Sequence, residues 1–195
     1  GRPTLGYWKL RGLGHPIRYC LEFLGCDYDE RLMQNWMQYA QVDKPALLKD
    51  DPLANLPFFV DGDFVVSETL AIIRYVCAKW GPHLLGSTPQ QAAQHDSALC
   101  SIYYANNNLR SYCYGYLPQS RVKVDEQLVA LRVDAGAYES GVAEWIRVGL
   151  RTYQTLLGDK AFLFGAGPLA ADFFLYEHVQ CCLAVDPGAL EALPA

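Results

Sequence analysis

Apolar and polar residues change their spacing along this chain in a way that divides it in two. In the first third the pattern switches between the two-residue period of a strand and the 3.6-residue period of a helix. Residues 4–8, TLGYW, read as a strand. His15-Pro16 then opens a helix, with proline where its missing N–H is of no consequence, and Ile17, Cys20, Leu21 and Leu24 follow the i, i+3, i+4, i+7 rule up to Gly25. Residues 28–33 suggest a second strand. The stretch 34–54, with Trp36, Pro45 and Pro52, has no sustained period and reads as loop and short helix. Two short apolar runs then flank Asp61-Gly62, a pair suited to the positive φ angles of a tight hairpin, so 58–60 and 64–66 are expected to be antiparallel strands. Leu70, Ile73 and Cys77 fall on one helical face, with Ile72 and Val76 beside them, and Gly81-Pro82 ends that helix.

The expected order to residue 80 is therefore βαβαββα. Residues 81–89, GPHLLGSTP, have the composition of a linker. Beyond it 90–116, about 124–157 and about 170–183 read as helices, separated by the Pro118 turn and by FGAGP. The fold class is α/β followed by all-α.

Charge and composition narrow the function. The chain carries a net charge of -5 with no basic stripe, which disfavours nucleic acid as a partner. No apolar run approaches the ~20 residues that cross a bilayer, so no membrane partner is expected. The opening GRPTLGYW lacks the basic-then-apolar order of a signal peptide, which points to a cytoplasmic protein. The 7 cysteines form no C-x-x-C pair and sit mostly within apolar stretches, where they read as free thiols acting as small hydrophobes. His15, His83, His95 and His178 are isolated, so no metal site is expected.

A tyrosine at the end of the first strand, a Leu-Pro before a hairpin, and helices after a small α/β domain together resemble the cytosolic glutathione transferases over nearly the whole chain. The segment GYWKLRGLGHPIRYCLEFLG at 6–25 is especially similar to the mu class, whose opening is G-Y-W-x-x-R-G with a catalytic tyrosine. The resemblance implies a thioredoxin-like glutathione-binding domain over 1–80, a linker over 81–89, and a helical domain over 90–195 that contributes the electrophile site. It also implies glutathione as co-substrate, small apolar electrophiles, a detoxification role and a homodimer.

The matched residues then take on chemistry. A free thiol of pKa ~8.5 is only about 3% thiolate at pH 7, yet the thiolate is the nucleophile. The Tyr7 phenol donating to the sulfur would favour the charged form, and lowering the pKa by about two units corresponds to ~2.7 kcal/mol. Tyr7 is thus assigned as donor, not base. Leu56-Pro57 stands where the family has a cis-proline, after the site asparagine, matched by Asn55; there the Leu56 backbone N–H and C=O would meet the cysteinyl part of glutathione edge-on. Glu68-Thr69 stands where mu enzymes carry Gln-Ser and other classes Glu-Ser, suited to the ammonium and carboxylate of the γ-glutamyl end. Trp8 and Leu13 line the glutathione site by the same resemblance, Leu13 also facing the electrophile, while Arg11 is structural. Lys49 is the first choice for the glycyl carboxylate, before Lys44 and Trp36.

Tyr114, in SYCYGY, matches a tyrosine that projects over the second substrate. Several positions depart from the mu pattern. Leu53 replaces the aromatic key of the dimer, Tyr104 stands where an aspartate reaches the partner's glutathione, and LAAD puts Leu169 where a Ser or Thr normally caps a helix. The sequence also ends at Ala195, before the tail that covers the electrophile site in mu enzymes. A glutaredoxin-like oxidoreductase is disfavoured because no cysteine occurs before Cys20. A non-catalytic carrier on the same fold, or a glutathione-dependent isomerase, stays open.

Overall fold

A computed structural model of the protein describes residues 1–113, 136–191 and 193. Two compact units divide it, Gly1–His95 and Asp96–Ala195. The first holds a four-stranded mixed sheet in the order β2-β1-β3-β4, formed by β1 (Thr4–Trp8), β2 (Asp29–Met33), β3 (Phe58–Asp61) and β4 (Phe64–Ser67). β1 pairs parallel with β2, which is why helix α1 (His15–Phe23) must intervene, and antiparallel with β3. The hairpin β3–β4 turns on Gly62 at φ 62, a conformation glycine adopts without steric cost.

Both faces of β1 are covered, and the two sides differ. Gly6 and Trp8 face one way. A Cβ on Gly6 would lie 2.1 Å from the Phe58 ring, so only glycine lets that ring cross the strand. Phe58 packs there with Met33, Tyr39, Leu47 and Ala54. The stretch 34–54 supplies this cover through α2 (Trp36–Gln38), a π turn (Tyr39–Asp43) and α3 (Lys44–Leu47). Leu5, Tyr7 and Phe59 are buried on the other face, where α4 (Thr69–Trp80) brings Tyr75 and Trp80 within 6.1 and 6.2 Å of the Phe59 ring. The core face of α4 is Thr69, Ile72, Ile73, Val76 and Cys77. Leu70, expected on it, is only half-buried, because Thr69 takes the first core position.

The second unit is helical. Its described helices are α5 (Pro89–Cys113, whose first turns belong to the first unit), α6 (Gly136–Leu157) and α7 (Ala170–Val185). Leu109, Ile146, Leu150, Cys182 and Ala189 form its described core. At the start of α7 the hydrocarbon side chain of Leu169 offers no acceptor, but Asp172 takes both the Leu169 N–H and the Leu163 N–H at 2.8 Å. Residues 124–135, expected to be helical, lie outside the described residues, as do Pro118 and Tyr114. None of the described helices is long and apolar enough to cross a membrane.

Candidate functional site

The polypeptide leaving β1 is built around the Tyr7 ring. Tyr7 is 2% exposed, and its phenolic oxygen accepts the Leu13 N–H at 3.0 Å. Two glycines make that approach possible. A Cβ on Gly12, which sits at φ 41, would lie 2.7 Å from the Tyr7 hydroxyl oxygen; one on Gly14 would lie 2.6 Å from the ring. Arg18 on α1 fastens the start of the same loop, donating to the Leu10 carbonyl at 3.1 Å and to His15 Nδ1 at 2.9 Å while its Nε pairs with Glu30. Arginine has no acceptor, so the His15 Nδ1 carries the lone pair in this contact.

A second segment meets this loop from the hairpin side. The Leu56-Pro57 bond is cis. The preceding residue, Asn55, sends its backbone N–H to the Ser67 hydroxyl at 3.1 Å and its side-chain amide to the Glu68 carboxylate at 3.4 Å. Glu68 has φ 74 and is the one non-glycine residue at positive φ among the described residues, a backbone state that costs of order 1–3 kcal/mol and often occurs at ligand sites. Thr69, with no solvent exposure, donates its hydroxyl to the Leu13 carbonyl at 3.3 Å. Tyr7, Leu13 and Thr69 are therefore joined by hydrogen bonds, and Asn55, Ser67 and Glu68 by a second set ending at the residue before Thr69. Among the described residues, the Leu56 backbone has no hydrogen-bond partner.

An aromatic group lies on the other side of β1. Trp8 stacks on Trp36 at 6.4 Å and meets Tyr39 edge-on at 6.1 Å, and the Lys44 ammonium stands 6.0 Å from the Tyr39 ring. Lys49 follows α3 and is exposed; no side-chain bond joins it to Trp8, Asn55, Leu56 or Glu68 among the described residues. Ser67, Gly12, Gly14 and Arg18 belong to this arrangement although sequence reasoning passed them over as site residues. The R-G-L-G spacing held a signal for the glycines, since two glycines flanking one residue allow close approach to a neighbouring ring. Ser67 and Arg18 left no comparable trace, because each acts on a partner distant in sequence.

Among the described residues no group of three or more His, Cys, Asp or Glu is placed to hold a metal ion. Cys20, Cys26, Cys77, Cys100, Cys181 and Cys182 are in no disulfide, and Cys20, Cys77 and Cys182 are buried.

Known proteins are similar to this chain in sequence and fold. Residues 3–78 match the family model described as glutathione S-transferase, N-terminal domain. The glutathione S-transferase class-mu 26 kDa isozyme 7 of Fasciola hepatica is 32% identical over 97% of this chain and 78% of its own length. Glutathione S-transferase Mu 4 of Mus musculus is 26% identical over 98% of this chain and 81% of its own length. Among solved structures, NaGST-2 superposes with a TM-score of 0.74 at 20% identity, over 99% of this chain and 86% of that one. Rat hPGDS complexed with a quinoline gives 0.69 at 21%, over 100% and 86%; at these identities the two structures speak to the fold alone. With the fold, the match to the family's N-terminal domain and the class-mu sequence relatives all in agreement, the chain belongs to the glutathione S-transferase family.

Proposed function

We propose that this glutathione transferase ionises its co-substrate through Tyr7, whose hydroxyl donates to the glutathione sulfur and favours the thiolate that attacks a small apolar electrophile. The observation that carries this reading is the 3.0 Å hydrogen bond from the Leu13 N–H to the Tyr7 oxygen. A phenol that accepts a backbone N–H is polarised, and its own O–H becomes a stronger donor. Its proton is also kept off the side that Leu13 occupies. The tripeptide would lie along the two hydrogen-bonded sets. The free Leu56 backbone takes the cysteinyl part. Asn55 and Glu68 face the γ-glutamyl ammonium. The hydroxyl of Thr69 is already engaged with Leu13, so the γ-glutamyl carboxylate is assigned to the unpaired first-turn N–H groups of α4. Trp8 lines the site and Lys49 meets the glycyl carboxylate, with the exposed Trp36 indole beside Trp8 as its alternative.

Residues 1–80 form the glutathione-binding domain in this reading, 81–89 the linker, and 90–195 the helical domain, with Leu13 and Tyr114 against the electrophile. The protein is assigned to the cytoplasm as a homodimer; the 79% exposure of Leu53, at the position of the mu dimer key, supports an interface there. Catalysis comes from thiolate formation and from holding two reactants together.

Steady-state conjugation of glutathione to a chromogenic aryl halide, followed against pH for wild type and Tyr7→Phe, tests the assignment. The expected outcome is a wild-type apparent pKa well below the ~8.5 of a free thiol, lost in the variant. Binding of glutathione by both proteins with no rate enhancement for a broad panel of electrophiles would instead establish a carrier.

A further inference from the structure

The Tyr7 assignment leaves open what holds the Leu13 N–H against the phenol. We propose that Thr69 is a positioning residue for thiolate formation: its hydroxyl grips the Leu13 carbonyl and so keeps the Leu13 N–H on the Tyr7 oxygen. This rests on the Tyr7 reading above and deepens it.

Three observations converge. Thr69 has no solvent exposure, so its hydroxyl must be satisfied from within the protein. It donates to Leu13, 56 residues earlier in the chain, at 3.3 Å. Leu13 is also the residue whose N–H reaches the Tyr7 oxygen at 3.0 Å. The two bonds act on the two peptide groups that flank one Cα, so together they fix the backbone dihedrals of Leu13. Gly12 at φ 41 and Gly14 on either side have no Cβ to hold that conformation themselves. Without the hydroxyl the Leu13 N–H can rotate off the phenol, and the phenol then loses the polarisation that makes it a strong donor to sulfur. Arg18 secures the two ends of the loop, at the Leu10 carbonyl and at His15, and the His15 N–H meets the Arg11 carbonyl at 3.0 Å, but none of these bonds is made to Leu13 itself. Thr69 thus serves the thiol end of the site, whereas the neighbouring α4 N–H groups serve the carboxylate.

A test compares Thr69→Val, which removes the hydroxyl and keeps the shape, with Thr69→Ser, which keeps the hydroxyl, using Tyr7→Phe as reference. The readouts are the pH profile of kcat/KM for the electrophile at saturating glutathione, which reports the thiol in the binary complex, and the KM for glutathione. A lost hydrogen bond to a group near the ionising centre is expected to raise the apparent thiol pKa by about 0.5–1 unit in Thr69→Val. At pH values below that pKa, kcat/KM should fall ~3–10-fold, while Thr69→Ser keeps the wild-type profile. Should Thr69→Val fail to fold, Thr69→Ala carries the same expectation. A raised KM for glutathione with an unmoved pKa would overturn the proposal and make the hydroxyl a carboxylate ligand. If Tyr7→Phe itself leaves the pKa unmoved, the Tyr7 assignment falls and this inference falls with it. A shift in Tyr7→Phe but in neither hydroxyl-deleted variant removes the inference alone.

Discussion

The two units bury polar groups to different ends. In the first, the buried hydroxyls of Ser67 and Thr69 each bond a backbone group that borders the proposed glutathione site. Its less complete pairings are partial: Asp43 and Asp51 each leave one oxygen without a partner but use the other, on Arg31 and on the Leu53 N–H. In the second unit, Asn106 has no solvent exposure and neither end of its amide finds a partner among the described residues. His178, 2% exposed, has its Nε2 3.6 Å from the Cys182 sulfur, and its Nδ1 has no partner among the described residues. Polar burial in the first unit fixes the backbone at Asn55 and at Leu13. In the second, Asn106 and His178 Nδ1 fix nothing of this kind among the described residues, and an unsatisfied buried polar group forfeits about 1–3 kcal/mol.

The largest expected effect lies in the helical unit. Burial pushes the His178 imidazole down to about 4, so it is neutral in the folded protein at pH 7. The unfolded chain has the ordinary value of ~6.5 and binds the extra proton in between, so stability is lost as pH falls from about 6.5 towards 4, by about 3 kcal/mol in total. Urea denaturation followed by far-ultraviolet circular dichroism at pH 7 and pH 4 should show this loss, and His178→Leu should shrink it. An unchanged pH dependence in that variant would assign the acid sensitivity elsewhere.

The next effect belongs to the site. Gly12→Ala puts a methyl 2.7 Å from the Tyr7 oxygen and forces alanine into a positive φ. Displacing a catalytic group by about 1 Å can cost ~10²-fold, and a loss of that order in kcat/KM is expected here. Retention of activity would mean that the loop relaxes without moving Tyr7. Asn106→Leu tests the helical unit in the opposite direction: replacing an unpartnered buried amide by hydrocarbon of similar size should stabilise the protein by about 1–2 kcal/mol, read as a higher urea midpoint. A destabilised variant would show that the amide has a partner in solution. The smallest effect is that of Lys49→Ala. An exposed ion pair with the glycyl carboxylate is worth about 0.2–1 kcal/mol, so the KM for glutathione should rise no more than about fivefold with kcat unchanged.

What the sequence made legible follows from how local each cause is. The β3–β4 hairpin is readable because Asp61-Gly62 determines the turn by itself, and the observed strands run one residue beyond the expected ones at Asp61 and Ser67. Helix α1 is readable from its apolar spacing and its proline. The stretch 34–54 is not, because Tyr39, Leu47 and Ala54 reach one cluster from an α-helical turn, a π turn and a loop that share no period. Tyr7, Leu56-Pro57 and Glu68-Thr69 could be singled out by resemblance. The bond from Thr69 to Leu13 could not, since nothing in either segment encodes a partner 56 residues away. Nor could the positive φ of Glu68, a residue that ordinarily avoids it.

The central claim is that Tyr7 sets the ionisation of bound glutathione. Its most direct test is a spectroscopic titration of the glutathione thiolate in the binary complex, by its ultraviolet absorbance, with wild type and Tyr7→Phe and no electrophile present. The account predicts a bound thiol about two units below the ~8.5 of the free thiol in wild type, returning most of the way in the variant. Equal thiol pKa values in the two complexes would contradict it.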